Sequence, residues 1–587
     1  MIRKISFENY KAFKNGELKL KPITILLGAN SVGKSSIINL LLMLQQTARV
    51  SNYKSALRLH GENVSLGECE NIFRNKDKSN DIIVGFEFES PQLTNLLQRK
   101  LFEDLIERII DPIRFILMRP IRSRRPAKSF KSHNKRDFSD YFPKEVHAYI
   151  NEMISLAGIT MSKDLFMSLI DGLAHINNEL ASIDDSSDDY IRYYFRRGYH
   201  NYHSSRETLE TIYDYLMALR LLDDSIFNMT FECFCLNVKG EDTIKLKTFI
   251  IKCHDKEILN VKFDYALDSG FYKDVKIRSD FSSKELLREE KSKQQFIKLL
   301  NHNSSIFSWI DPYDEQYRDF YFEDADNDIN TIDTKIVSQI IGLSLSSIRR
   351  NFTKELVNHV SPLRAHPKRY YFLDNANINT SINTLDGNSL TEVLKENAKV
   401  RAKVNEWLDK FDLQVNVSTL QDIIHKLKIR QYALDLDITD VGFGISQILP
   451  IIVQGFLSFK NSLTMIEQPE IHLHPKMQAD LADLFIDIVN KGESISGDFD
   501  NAQKYLLIET HSEYLLRRLR RRIAEGKISS EDVAIYFLEH PDDGQSGTII
   551  NEKTISSNGY FDWPQDFYAK ELLNDTTEFI KQSFRNL

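Results

Sequence analysis

Eight consecutive residues, Gly28 to Ser35 (GANSVGKS), fit the phosphate-binding pattern GxxxxGK[ST] without a gap. In such a loop the backbone N–H groups converge on one point, where the β- and γ-phosphates of a nucleotide sit. Lys34 would reach those phosphates and Ser35 would hold Mg2+. A second anion-recognising group lies in DVGFGISQILPIIVQGF, where Gly442, Gly444, Ser446 and Gln447 open an apolar helix. One phosphate does not need two such devices in one chain, so the second is expected to reach a nucleotide held by another protomer. Further on, SLTMIEQPEIHLHP ends a buried run, Ser462 to Ile466, in Glu467, placed to join the Mg2+ shell through a water. Another buried run, Tyr505 to Ile508, ends in Glu509, Thr510, His511 and Ser512. An imidazole at a strand's end, facing phosphates, can sense the γ-phosphate or orient water; His511 by itself reads equally as a helix-capping histidine, and its place as the last of four ordered motifs favours the phosphate role.

The elements that must position these groups are legible around them. The apolar run Ile23 to Leu27 predicts a buried strand before the loop, and Ser36 to Leu44 a helix after it, the order such a loop requires. Met1 to Leu27 reads as a hairpin or meander with its turn at Lys14 to Glu17, and Asp81 to Phe88 alternates like a strand. From Glu89 the character changes. Leu93 to Ile110, Lys144 to Leu156 and Arg206 to Leu222 carry helical periodicity in an insertion too large to be a loop, and Asn228 to Tyr265 returns to β-rich composition. The expected fold is α/β: a P-loop nucleotide-binding domain of mixed sheet and flanking helices, interrupted by a large, mainly helical insertion with a small β portion. Its parts are an N-terminal lobe over 1–88, the insertion over 89–354 with its β-rich stretch at 228–265, a C-terminal lobe over 355–550 and a tail over 551–587.

Net charge is -8 over 587 residues, so any nucleic-acid surface must be local. Two local basic segments exist. Arg119 to Arg136 contains Arg124 and Arg125 and no acid; Arg192 to Arg206 interleaves Arg196 and Arg197 with tyrosines, the chemistry of phosphate neutralisation and base stacking on DNA or RNA. A solvated basic loop beside an aromatic protein interface accounts for the same residues. Four cysteines provide no disulfide framework; Cys233, Cys235, Cys253 and His254 lack the spacing of a metal site, and the cysteines read as core. No apolar run long enough to span a membrane occurs and MIRKISFENYK has no secretion-signal core, which predicts a soluble, cytoplasmic chain without a membrane partner.

The order of the four motifs resembles the ABC-type ATPase head of the SMC, RecF and OLD group. More narrowly it is similar to AAA15/AAA21 ATPases whose C-terminus carries the DUF3696 region, through SPLRAHPKRYY, DVGFGISQILPI, IEQPEIHLHP, ETHSEYLLRRLRRRIAEGKISSEDVAIYF and GYFDWPQDFY. The resemblance covers about residues 1–88 and 355–570. It implies ATP and Mg2+ as cofactors, with Gly28, Asn30, Gly33, Lys34, Ser35 and Ser36 binding phosphate and Mg2+ in cis. It further implies Gly444, Ser446 and Gln447 as a signature acting in trans within a homodimer or higher even oligomer, Glu467 as the acid of the Walker B strand and His511 as the switch histidine. One position departs from the pattern: the glutamate that usually polarises the attacking water is Gln468. An amide orients a water but cannot accept its proton, so hydrolysis is expected to be slow unless Glu470 or His511 serves as base.

Relatives of this kind sit in bacterial anti-phage systems, Septu-type modules and retrons among them, where a separately encoded nuclease is held or unleashed. After His511 about 75 residues follow, fewer than the roughly 100 of a small nuclease domain, so the effector is expected in another chain. The competing expectations are a RecF- or SMC-like ATPase that grips DNA through its basic loops in repair or maintenance, and a nucleotide-binding scaffold that does not turn over.

Overall fold

The computed structural model describes residues 2–49, 55–103, 105–106, 161–182, 204–301, 305–307, 331–353, 355–372, 381–384, 387–421, 424–432, 434–490, 503–541, 547–562 and 569–585. They fall into two compact units, one of Met1–Val50, Leu57–Phe88 and Ile348–Leu587, the other of Ser51–Ala56 and Glu89–Ser347. Lys144 to Leu156, the first basic segment and residues 192–203 of the second, with Arg124, Arg125, Arg196 and Arg197, lie outside the described residues.

The first unit begins with β1 (Ile2–Tyr10) and β2 (Phe13–Lys19), an antiparallel hairpin, followed by β3 (Ile23–Gly28) and, after the phosphate loop, α1 (Lys34–Ala48). The hairpin turns at Lys11 and Ala12, not at Lys14 to Glu17, because Tyr10 pairs with Phe13 and both rings are fully buried there. Gly16, which suggested a turn, instead sits opposite Phe7, where an added Cβ would lie 2.5 Å from the ring. The glycine makes room for the aromatic side chain. β4 (Ile82–Glu89) pairs with the other edge of β1.

The second unit contains an antiparallel meander of β5 (Ile226–Val238), β6 (Glu241–Cys253), β7 (Lys256–Tyr265) and β8 (Tyr272–Arg278). The last strand extends the expected β-rich stretch; its Lys273, Lys276 and Arg278 mask an alternation whose buried members are Val275 and Ile277. Helices Lys163–Ser182, Arg206–Leu219 and Glu290–Asn301 belong to this unit. Cys233 and Cys253 are buried, as core cysteines are, while Cys235 is only partly so, and none of the three is in a disulfide. Among the described residues no helix is long and apolar enough to cross a membrane.

The chain then completes the first unit. β9 (Val357–Val360) precedes a small antiparallel group of β10 (Tyr371–Phe372), β11 (Leu413–Gln421), β12 (Ile424–Gln431) and β13 (Leu434–Asp437), in which the other three all pair with β12. β14 (Leu463–Glu467), β15 (Tyr505–Glu509), β16 (Val533–Glu539) and β17 (Ile549–Lys553) finish the main sheet, whose order is β17-β16-β3-β15-β14-β9. All strands but β17 are parallel, and β3, β14 and β15 are buried apolar runs, as a sheet covered on both faces demands. Helices Pro475–Asn490 and Glu513–Ala524, which follow β14 and β15, are joined by ion pairs from Arg518 to Asp480 and Asp483 and from Arg522 to Asp483. These pairs tie the two helices to each other.

Gly16→Val drives a branched side chain into the Phe7 ring and should cost about 1–3 kcal/mol, seen as a fall in the urea midpoint. An unchanged midpoint contradicts the packing role given to this glycine.

Candidate nucleotide site

Parallel register brings three strand ends to one edge of the sheet: Glu509 of β15 is opposite Leu26 of β3 on one side and Glu467 of β14 on the other. The carboxyl edge of such a sheet is where ligands bind. The phosphate loop leaves β3 with Gly28 at φ 145° and enters α1 through Gly33 at φ 101°, left-handed conformations that glycine adopts without a Cβ penalty. A Cβ on Gly28 would also meet the Leu538 carbonyl oxygen at 2.4 Å. No side chain caps the start of α1 and its first turn holds no acid, so the helix presents its positive end uncancelled. Asn30 and Ser35 are exposed or partly so, Ser36 is accessible too, and Thr548 pins the loop from behind by donating to the Val32 carbonyl at 2.8 Å.

Lys34 is only 3% exposed and its Nζ donates to the carbonyls of Gly28 (3.0 Å) and Ala29 (2.7 Å). Burial lowers its pKa, against the pull of Glu509 and Glu470. Ser35 Oγ donates to Glu509 Oε2 at 2.9 Å. Glu467 Oε1 is hydrogen-bonded to His359 Nε2 at 2.7 Å. Glu470 is fully engaged: one oxygen accepts from the Thr510 hydroxyl and the other from the His511 N–H, each at 2.7 Å. Burial raises the pKa of Glu470 against those bonds, and raises that of Glu509 against its bond from Ser35, with Glu467 adding to the rise.

Burial, and after it the charge of Lys34, lowers the pKa of His511 and so favours the neutral ring, whose Nε2 is buried with no hydrogen-bond partner among the described residues. A neutral imidazole with a spare nitrogen can accept a proton from water or donate to a phosphoryl oxygen. Gln468 adopts φ 44°, half-buried, its N–H donating to the Glu509 carbonyl at 2.8 Å.

Arg364 completes the charge balance. It is 6% exposed, its Nη2 donates to the carbonyls of Glu467 (2.8 Å) and Gln468 (3.3 Å), and its Nε and Nη1 are buried without partners among the described residues. Burial pulls its pKa down to about 10, against Glu470 and Glu467. In the sequence Arg364 stands out only as part of SPLRAHPKRYY, and neither His359 nor Glu509 receives a role there. For Glu509 a signal is present, since LLIE repeats the buried strand ending in glutamate of TMIE. For His359 there is none.

The signature residues divide. Gly442 and Phe443 are accessible at the uncapped start of helix Phe443–Leu457, and Gly444 is half-buried. Ser446 is 6% exposed with its hydroxyl donating to the Phe443 carbonyl at 2.7 Å, and Gln447 is buried. The outward-facing part of the motif is therefore Gly442 to Gly444.

Over residues 1–516 the chain matches the family AAA_15, described as AAA ATPase domain. The chain belongs to this AAA ATPase family. No match is found among curated proteins. Among solved structures, the SMC head domain from Thermotoga maritima is similar at 7% identity and TM-score 0.32, covering 94% of this chain and 98% of that one. The Smc head domain with an extended coiled coil from Pyrococcus furiosus, bound to the C-terminal domain of ScpA, is similar at 8% identity and TM-score 0.30, covering 94% and 96%.

The ATPase is thus a mixed α/β P-loop head with a large insertion, and it binds and hydrolyses ATP. Its donor set of one hydroxyl with carboxylates suits Mg2+, which takes most of its ligands from phosphate and water. Among the described residues no group of three or more His, Cys, Asp or Glu could hold an ion by itself. Ser35, oriented by carboxylate, would hold Mg2+, which would supply charge neutralisation of the phosphoryl group.

Two substitutions test the site. Lys34→Ala should abolish binding of a fluorescent ATP analogue. Arg364→Met should lower turnover by about tenfold or more while leaving KM near the unsubstituted value, because Arg364 touches the Glu467–Gln468 backbone rather than the loop. A raised KM with unchanged turnover contradicts that role.

Proposed function

We propose that the ATPase works as a nucleotide-controlled switch: two heads close on shared ATP, turn it over slowly, and in closing or opening hold or release a separate effector. The observation that carries this reading is the accessible, uncapped glycine segment Gly442 to Gly444, present in a head whose own phosphate loop already supplies lysine, serine and helix terminus. Such a segment serves a second phosphate group, which only another protomer can bring. With Ser446 and Gln447 turned inward, the contact in trans falls to backbone N–H groups around Gly444.

Slow turnover follows from Gln468, which orients water without taking its proton, while both Glu470 oxygens are engaged. A switch that holds its state until ATP is consumed suits control of a destructive partner, and the motif resemblance to Septu- and retron-associated ATPases points to a nuclease in anti-phage defence.

The trans contact is tested at Gly442, whose φ is ordinary for any residue and whose added Cβ would meet nothing within 4 Å. Gly442→Asp should leave folding and ATP affinity intact and abolish dimerisation driven by a non-hydrolysable analogue, measured by sedimentation velocity. Retained dimerisation contradicts the clamp. Gln468→Glu should raise single-turnover hydrolysis by at least about tenfold; no gain counts against the water-orienting argument.

A further inference from the structure

A serine that ligates a hard cation presents an oxygen lone pair to it and must direct its O–H proton elsewhere, so the group accepting that proton fixes the hydroxyl's orientation. In this chain the acceptor is Glu509, whose Oε2 lies 2.9 Å from Ser35 Oγ. Glu467, the acid that motif order assigns to the metal shell, is occupied differently, with its Oε1 on His359 Nε2 at 2.7 Å. The sheet order explains the exchange: β15 is the immediate neighbour of β3, and β14 is one strand further out. Glu509 is 4% exposed, and a carboxylate that far from water needs a strong donor or a cation beside it.

We propose that Glu509, not Glu467, is the positioning residue for the divalent cation that accompanies ATP, acting through the Ser35 hydroxyl. Glu467, paired with His359, is left for the water side of the reaction. The inference rests on the reading of this site as an ATP site and concerns only how the cation is held there.

The test is the Mg2+ linkage of nucleotide affinity: a fluorescent ATP analogue titrated into the full-length protein with excess Mg2+ and with EDTA. Glu509→Gln should remove at least about tenfold of the Mg2+-dependent gain in affinity and leave the EDTA value within about twofold, while Glu467→Gln keeps the gain. In a Ser35→Ala background, Glu509→Gln should add nothing. Glu509→Asp, which retains the charge, should restore part of the gain and guards against loss through misfolding, checked by thermal melting. The proposal is overturned if Glu467→Gln loses the linkage and Glu509→Gln keeps it, or if Glu509→Gln lowers it further without Ser35. Absence of any binding by the unsubstituted protein would instead remove the ATP reading itself.

Discussion

The parallel register of β3, β15 and β14 is the constraint on which the site depends, because it sets the ends of three strands, Gly28, Glu509 and Glu467, along one edge. Carboxylates on adjacent strands repel, and with Glu470 close by three acids share a half-dry space. Two unit charges 4 Å apart interact by about 4 kcal/mol at the effective dielectric near a protein surface, enough to shift protonation or force in a counter-charge. Lys34 and Arg364 are those counter-charges, and both are buried at the cost of a lowered pKa. A triphosphate entering the loop adds negative charge to an edge already rich in it. ATP accompanied by a divalent cation is the form that would best suit such an edge.

The same edge is tied to the accessible signature segment within one head. The turn after β14 holds Gln468 at φ 44° and His472 at φ 61°, and the His472 ring packs edge-on against Phe443 at 4.9 Å while His366 lies over Phe443 at 5.4 Å. A Cβ on Gly444 would meet the His472 carbonyl oxygen at 3.0 Å. The segment that the proposed clamp would offer to another protomer therefore rests directly on the turn that carries Gln468 and Glu470. Arg364 and His366, two residues apart, reach the two ends of that arrangement, which gives the SPLRAHPKRYY stretch a physical meaning.

What the sequence made legible was whatever depends on neighbours along the chain. The phosphate loop between its strand and helix, the buried runs ending at Glu467 and before His511, and the β-rich part of the insertion all follow from local pattern. What it concealed depends on which strands become neighbours in space. Glu509 meets Ser35 only because β15 lies beside β3, and His359 meets Glu467 only because β9 flanks β14. The hairpin turn escaped because Gly16 serves a ring on the opposite strand, and the inward side of Ser446 and Gln447 is set by how a largely apolar helix docks in the core.

The account stands on a triphosphate shared by two heads. The measurement that reaches this most directly is the structure of the full-length ATPase with Mg2+ and a non-hydrolysable ATP analogue. The account predicts each γ-phosphate between Lys34 of one protomer and the backbone N–H groups around Gly444 of its partner. A triphosphate bound to Lys34 with no second chain within hydrogen-bond distance, in every assembly present, would contradict it.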